Sequence, residues 1–411
     1  MTKQRTQIRH AVGVMTGTSI DGIDASLVQI DGVGLHMQAR LLHHHSRPLG
    51  DIGPVLRAAA EQMPMTAGDF AKLAWQFGEL HAAVIAELLH EAQMIKPPLP
   101  LGEGRGEGPP VSGKSHDSPT VDLICVHGQT VFHQPPVSWQ LVNTAPIAQR
   151  FGCAVVTDLR QADLAAGGQG APITPIADWI LFRAIGKRCA IVNLGGFCNV
   201  TVLPANGNAE DEWRAIRGFD VCACNQILDV VAREALGRPF DEHGNAACRG
   251  RIDPRAAGAL RESLERQRIG GRSLGTGDEA ARWVHEQIKN GVGPSDIAAT
   301  AVDAIARCIA DALREHQPDA IILAGGGARN CALKESIAIA SNSIVHLSDE
   351  FGVPIEARES MEFAVLGALC ADGVAITLPQ VTGCREPAPV AGVWTGLIQR
   401  DSGGLTSARA M

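Results

Sequence analysis

Ala11-Val12-Gly13-Val14-Met15-Thr16-Gly17-Thr18-Ser19-Ile20-Asp21-Gly22-Ile23-Asp24-Ala25-Ser26-Leu27-Val28-Gln29-Ile30 decides the fold. Ala11–Met15 is a short apolar run that reads as a buried strand. Gly17–Gly22 is a turn, and Ile23–Ile30 alternates as a second strand closed by Asp31-Gly32. The turn combines glycine, hydroxyls and carboxylate. Its backbone N–H groups can wrap an anion, and a carboxylate there can hold Mg²⁺ directly or through water. A plain hairpin turn would use the same residue types. The design returns at Arg188-Cys189-Ala190-Ile191-Val192-Asn193-Leu194-Gly195-Gly196-Phe197-Cys198-Asn199-Val200-Thr201-Val202-Leu203. A separation of about 180 residues predicts an internal duplication: two similar α/β domains, each offering a hairpin turn to a shared cleft.

The bulk properties agree with an ordinary globular protein. The chain has 411 residues, 45% of them hydrophobic and 19% charged, a length that suits two domains. A net charge of −8 argues against a nucleic acid as the main partner. No apolar run reaches the roughly 18 residues of a membrane span. The polar, basic start lacks an apolar signal core. Eleven cysteines without framework spacing fit a reducing cytoplasm, most of them as small core residues.

Outward from the first hairpin, Phe70, Leu73, Ala74, Phe77, Leu80, Val84, Ile85 and Leu88 predict a helix over Thr66–Gln93. His43-His44-His45 is expected to be a solvated strand end, since adjacent strand residues point to opposite faces. Pro97–Pro119, rich in proline and glycine, reads as a disordered surface insertion within one domain. Val121–Val126 is a strand, and His127 and Gln129 at its carboxyl end occupy the usual ligand position of an open α/β sheet. Val155–Thr157 leads into Asp158, Arg160 and Asp163, a glycine turn at Gly167–Gly170, then Pro172, Pro175 and Asp178. Asp178 opens an apolar helical pattern, where a carboxylate serves either as a general base or as a helix cap. Ser295 is expected to cap a helix to Leu313. Ala320–Ala324 followed by Gly325-Gly326-Gly327 is a strand and a turn suited to a nucleotide lying against bare backbone. Met361, Phe363, Ala364, Leu366 and Leu369 mark a last helix, and past Pro379 the chain has little pattern.

The order of these pieces resembles the actin-like ATPase and sugar kinase superfamily. More closely, the chain from Gly13 to about Ala375 resembles the anhydro-N-acetylmuramic acid kinase family. The matching stretches are Gly13–Asp24, His127–Thr130, Arg160–Asp178, Asn193–Gly196 with Asn199, Gly325–Gly327 with Asn330, and Glu359 with Phe363-Ala364. The resemblance implies a two-domain actin-like fold with a nucleotide and substrate cleft between the domains. The expected boundaries are 10–187 plus 360–378 for the first domain and 188–359 for the second, with 380–411 as a loose tail. It implies ATP and Mg²⁺, and a 1,6-anhydro amino sugar from peptidoglycan as substrate. Water opens the anhydro bridge at C1 and O6 takes the γ-phosphate. In that reading Asp178 is the catalytic base. Gly17, Thr18, Ser19, Ile20, Asp21, Gly22, Ile23 and Asp24 hold the ATP phosphates. Gly195, Gly196, Gly325, Gly326, Gly327 and Asn330 complete the nucleotide site. His127, Arg160, Gln169 and Glu359 contact the sugar, and the metal ligands are unassigned. The family often forms homodimers.

Three departures from the family pattern matter. Cys222-Ala223-Cys224 stands where a Gly-Pro-Gly turn is usual. Leu141–Ala145 replaces an aspartate-containing segment, and Gly270–Ser273 replaces a Pro-Lys-Ser segment. The second departure leaves a kinase for a simpler anhydro sugar such as levoglucosan as an alternative. The first leaves a non-catalytic nucleotide-binding regulator.

Overall fold

The computed structural model describes residues 8–17, 19–93, 121–205, 212–269 and 278–396. The insertion expected at Pro97–Pro119 and the turn residue Thr18 lie outside them.

The apolar runs become two main sheets. The first holds β1 (Ile8–Met15), β2 (Gly22–Asp31), β3 (Gln38–Pro48), β4 (Leu123–Val126), β7 (Ala154–Thr157) and β13 (Val393–Thr395). The second holds β8 (Cys189–Leu194), β9 (Phe197–Leu203), β10 (Arg217–Ala223), β11 (Ala320–Ala324) and β12 (Ile344–Leu347). A hairpin of β5 (Gln129–Gln134) and β6 (Val137–Leu141) projects beside the first. The spatial orders are β13-β7-β4-β1-β2-β3 and β10-β9-β8-β11-β12. Setting β13 aside, each sheet runs third, second, first, fourth, fifth. Each begins with three antiparallel strands and continues with two parallel ones. The duplication read from the two hairpins is therefore present as repeated topology. This repeated topology is the arrangement that the resemblance to the actin-like ATPase and sugar kinase superfamily implies.

Strand alternation builds the layers. Val12 and Val14 face a core that includes Phe77, Val84 and Leu88 of the helix Ala67–Glu91. Ala11 and Met15 face the opposite way, against the helix Arg358–Ala371. In the second sheet Ala190, Val192 and Leu194 face the helices Asn225–Glu234 and Pro294–Leu313. Cys189 and Ile191 face back into the same core as Ala11 and Met15. The inner faces of both sheets thus share one apolar core, built around the helices Pro175–Phe182 and Arg358–Ala371.

Local signals explain most boundaries. Thr66 and Asp69 form a reciprocal capping box that starts the long helix. Pro294 occupies the first helical turn, so that helix begins one residue before Ser295, with Gly293 as its cap. His43, His44 and His45 lie within β3, where His43 and His45 meet Glu87 and Glu91 of the long helix and His44 faces Ser26. They are half-buried by these partners, not a solvated end. The expectation of a patternless tail after Pro379 also needs correction. Pro379–Thr382 is a helical turn, and Val393–Thr395 pairs with Val155–Thr157. These pieces are too short for periodicity, and their partners lie far away in sequence.

Gly13 is where the closing helix meets the sheet. A Cβ there would lie 1.9 Å from Ser360 O and 2.3 Å from Ala364 N. Gly13→Ala should therefore destabilise by about 3 kcal/mol or more, the upper end for overpacking, since backbone cannot yield as a side chain can. Gly258, in a helix with nothing near its missing side chain, is the control: Gly258→Ala should be neutral or gain roughly 0.5–1 kcal/mol. Urea unfolding of both variants checks the pair.

Candidate active-site cleft

The parallel strands β1, β4 and β7 end together at Met15, Val126 and Thr157, and His127 N–H donates to Val14 O at 2.9 Å. The first hairpin turn opens at these carboxyl ends, and the second opens at the carboxyl end of β8 in the other sheet. Buried polar atoms without a protein partner gather in the same place: Thr16 Oγ1, His127 Nδ1, Gln129 Oε1, Asp158 Oδ1 and, in the second sheet, Asn193 Oδ1. Native structures rarely leave such atoms unpaired except where water or ligand completes them.

The first hairpin turn is fixed from behind. Ile20 adopts φ +52° while its side chain is buried. A β-branched residue in this region costs about 1–3 kcal/mol, which packing must outweigh. Arg57 donates to the carbonyls of Ser19 and Ile20, both at 3.1 Å, and Ser19 Oγ donates to Asp21 Oδ1 at 2.9 Å. At the foot of the turn, Asp24 is raised to about 6 by burial and by Glu359, Asp21 and Glu356. Burial and Asp21 together raise Asp229, which belongs to the second lobe. The cleft mouth is therefore lined with carboxylates from both lobes.

The second hairpin turn is tied to the helix after β10. Gly195 and Gly196 accept from the amides of Asn225 and Cys224, at 3.0 and 2.8 Å. Two of the three glycines at 325–327 serve packing. A Cβ on Gly325 would lie 2.5 Å from Asn193 Oδ1, and one on Gly327 would lie 2.8 Å from Asn225 Oδ1. Gly326 alone of the three is exposed. Asn330 Oδ1 caps the helix Cys331–Ser341 through Leu333 N–H at 3.0 Å. Cys222 and Cys224 turn their side chains into the core, where burial pushes Cys224 up to about 12 and a Cys308 contact and burial raise Cys222 further.

Across from these turns, Arg160 Nε and Nη2 point at His127 Nε2, at 3.2 and 3.1 Å, and Nη1 donates to Gly170 O at 2.6 Å. Two donors on Nε2 require its lone pair, so the ring proton sits on Nδ1. Burial and Arg160 hold His127 neutral, well below its ordinary range. Arg160 itself is pulled down to about 10 by burial, opposed by Asp220, Asp158 and Asp163. Asp220 comes from the second sheet. It ends the regular part of β10, where a bulge falls between Asp220 and Cys222, a device that re-aims a strand beside a site. Asp220 is open to water, yet the surrounding walls raise its carboxyl, with Arg160 opposing. Glu359 accepts from Asn193 Nδ2 at 3.1 Å and is raised by burial. Gln169 is exposed on the glycine loop.

The expected base, Asp178, is elsewhere. It is the fourth residue of Pro175–Phe182, fully buried in the core between the sheets. Arg358 grips it: Nε to Oδ1 at 3.0 Å, and Nη2 to Oδ1 and Oδ2 at 2.7 Å each. Arg358 Nη2 also lies 2.8 Å from Glu362 Oε1, and burial pushes the Glu362 carboxyl well above its ordinary range, with Arg358 opposing and Asp178 adding to the rise. A fully buried carboxylate with both oxygens bound to a guanidinium is closed off from substrate and from bulk water. Asp220 is the group that sequence reasoning passed over. Its signal was a glycine two residues earlier: a Cβ on Gly218 would lie 2.6 Å from Pro175 and 3.3 Å from Pro172, so β10 docks on the Gly-Pro loop and delivers Asp220 beside it.

The comparisons with known proteins bear on the whole chain. The family described as anhydro-N-acetylmuramic acid kinase matches residues 9–99 and 112–395. The anhydro-N-acetylmuramic acid kinase of Salinibacter ruber is 31% identical, over 94% of this chain and 96% of its own. That of Gloeobacter violaceus is 33% identical, over 93% and 98%. Among solved structures, the (R)-2-hydroxyglutaryl-CoA dehydratase component A of Acidaminococcus fermentans aligns over 88% of this chain and 98% of its own, at 13% identity and a TM-score of 0.45.

The burial of Asp178 makes a stability prediction. Asp178→Ala leaves Arg358 without its main partner inside the core, and removal of one member of a buried pair costs about 3–5 kcal/mol. Chemical denaturation should show a loss of that size. A variant as stable as the parent would return Asp178 to candidacy as a base.

Proposed function

The chain belongs to the anhydro-N-acetylmuramic acid kinase family, and we propose that it opens the 1,6-anhydro ring of 1,6-anhydro-N-acetylmuramic acid and phosphorylates O6 from ATP, with Asp220 as the base. The observation that carries the assignment of the base is that Asp220 ends β10, exposed, on the strand that docks against the Pro172–Pro175 loop, near enough for Arg160 of the other sheet to act on its charge. No helix among the described residues is long and apolar enough to cross a membrane, and we place the reaction in the cytoplasm, where ATP is available.

The chemistry is a coupled hydrolysis and phosphoryl transfer. Asp220 takes a proton from a water as its oxygen bonds to C1. The C1–O6 bond breaks, and its electron pair stays on O6. That oxygen forms the new bond to the γ-phosphorus as the β,γ-bridging oxygen departs with ADP. Arg160 opposes the rise of the Asp220 carboxyl and can hold a sugar oxygen, and neutral His127 retains one N–H to donate. Asp24 and Glu359, near enough for the charge of one to raise the other, suit a hydrated Mg²⁺. No preformed cage of three His, Cys, Asp or Glu side chains exists among the described residues, which fits an ion that keeps waters and phosphate oxygens. When bound, Mg²⁺ neutralises phosphate charge. Lobe closure would exclude bulk water from O6.

Release of ADP with Mg-ATP and the anhydro amino sugar, with the sugar 6-phosphate identified by NMR, tests the function. Turnover of levoglucosan alone would point to the simpler substrate. ATP binding without turnover of either would point to a regulator. Asp220→Asn should lower kcat by about 10²–10⁴-fold, the usual worth of a general base, while ATP affinity holds. Because the walls raise Asp220, the acid limb of kcat/KM should lie above an ordinary carboxylate's. The stability consequence has a definite sign. A raised carboxyl contributes stability below its unfolded pKa that is lost as pH rises through the folded value. Asp220→Asn should therefore raise the melting temperature at pH 8 and change it little at pH 4.

Asp24 supplies a further check. With a value of about 6, it is half-protonated near pH 6. Mg-ATP binding that uses its carboxylate must release that proton. Calorimetry at pH 6 in buffers of different ionisation enthalpy should detect the release, and Asp24→Asn should abolish it.

A further inference from the structure

The glycine loop that carries Gly170 is not held by its own residues. Asp163, fully buried, accepts Gly170 N–H on Oδ2 at 2.7 Å. Its other oxygen accepts Thr382 Oγ1–H, also at 2.7 Å. Thr382 O accepts Gln169 N–H at 2.8 Å, and Arg385 N–H donates to Ala166 O at 3.1 Å. Residues 379–385 therefore lie as a strap over 161–170, more than two hundred residues away in sequence. Thr382 is buried and touches neither His127 nor Asp220 in these contacts. The chain of bonds nevertheless leads to them. Gly170 is fixed by Asp163, and its carbonyl holds Arg160 Nη1. Arg160 then places its remaining donors on His127.

We propose that Thr382 is a positioning residue of the sugar site: through Asp163 and Gly170 it sets where the Arg160 guanidinium stands between His127 and Asp220. The inference rests on the reading of Arg160 and Asp220 as the sugar-side pair. A buried carboxylate facing one amide and one hydroxyl is a two-point anchor. Loss of the hydroxyl leaves the carboxylate with the Gly170 amide and only the weak Cys384 thiol beside it, and it will turn to recover a partner. Gly170 then shifts, and Arg160 with it. Misplacement by about 1 Å of a group near the chemistry is enough to cost about a hundredfold in rate. The strap also explains why the C-terminal segment, patternless in sequence, is packed: Thr382, Cys384 and Ala391 are all buried.

The test compares Thr382→Val, which keeps the shape and loses the donor, with Thr382→Ser, which restores the hydroxyl. Thr382→Ala stands beside them in case valine prevents folding. In the valine variant kcat/KM for the anhydro sugar should fall roughly ten- to a hundredfold, while KM for Mg-ATP stays within about twofold. Arg160 lowers the Asp220 carboxyl, so slackening Arg160 raises it, and the acid limb of the profile should move to higher pH. Serine should return both the limb and the sugar KM. A stability loss alone, with limb and sugar KM unmoved, overturns the proposal, as does a serine variant that rescues neither. Hydrogen exchange at the Gln169 and Gly170 amides reads the strap without turnover. Both should exchange faster in Thr382→Val than in the parent, relative to amides of β4, and unchanged protection overturns the proposal. If the parent protein fails to phosphorylate the sugar, the functional reading falls, and the exchange measurement still decides the strap.

Discussion

The two lobes are joined through a buried ion cluster. Asp178 belongs to Pro175–Phe182, and Arg358 and Glu362 to Arg358–Ala371. Both helices sit in the core that the inner faces of the two sheets share. Burial alone would lower the Arg358 guanidinium, but Asp178 and Glu362 outweigh it and hold the charge above its ordinary strength. Asp178 meets that cation with both carboxylate oxygens, as an ion pair inside the core. Such a pair is poor as a source of net stability, because desolvation offsets its attraction. What it does well is fix geometry: the bidentate fork allows one relative placement of the two helices. Arg358 points into this core, and the next two residues do not. Glu359 reaches Asn193 in the second sheet, and Ser360 meets Ser26 of β2 at 2.6 Å. One turn of helix thus sets core, cleft and sheet together.

From that placement the cleft follows. Two sheets of the same topology present their carboxyl ends to one another. There the chain gathers groups that a stable core would reject: a raised Asp24, Glu359 and Asp220, a neutral buried His127, and Asp158, a non-glycine residue at φ +55°. Each destabilises the protein without ligand. Binding of a phosphate, a metal or a sugar oxygen offsets that cost, which is why perturbed groups collect at functional sites.

The Cys222-Ala223-Cys224 turn departs from the family at a sensitive position, between Asp220 and Asn225. Its side chains join the core, the Cys224 amide donates to Gly196 O, and the next amide, that of Asn225, donates to Gly195 O. The turn therefore holds the two hairpin-like segments of the second lobe to each other. Asn225 is kept in place as well, its Nδ2 donating to Leu194 O at 3.0 Å. Thiols replace glycine where the backbone faces the core, so the change is absorbed by packing.

Much of the fold was legible in the sequence because its signals are local. Apolar runs and the alternation of Ile23–Ile30 marked β1, β2, β8 and β9, the helical spacing of Phe70 to Leu88 marked the long helix, and the repeated hairpin marked the duplication. His127 and the glycine-hydroxyl turn were singled out from residue type at strand ends, whereas Glu359, in the first turn of a helix, entered only through the family resemblance. Two things were not legible. Asp178 has the sequence context of a base, a carboxylate behind a Gly-Pro loop, and only Arg358, 180 residues away, takes it out of reach. Asp220 has an unremarkable context, and only the docking of β10 on that same loop brings it to Arg160. A residue's type and neighbours fix what chemistry it can do. Whether it does so depends on charge, water and partners contributed by distant segments, and those are set when the two sheets close on their shared core.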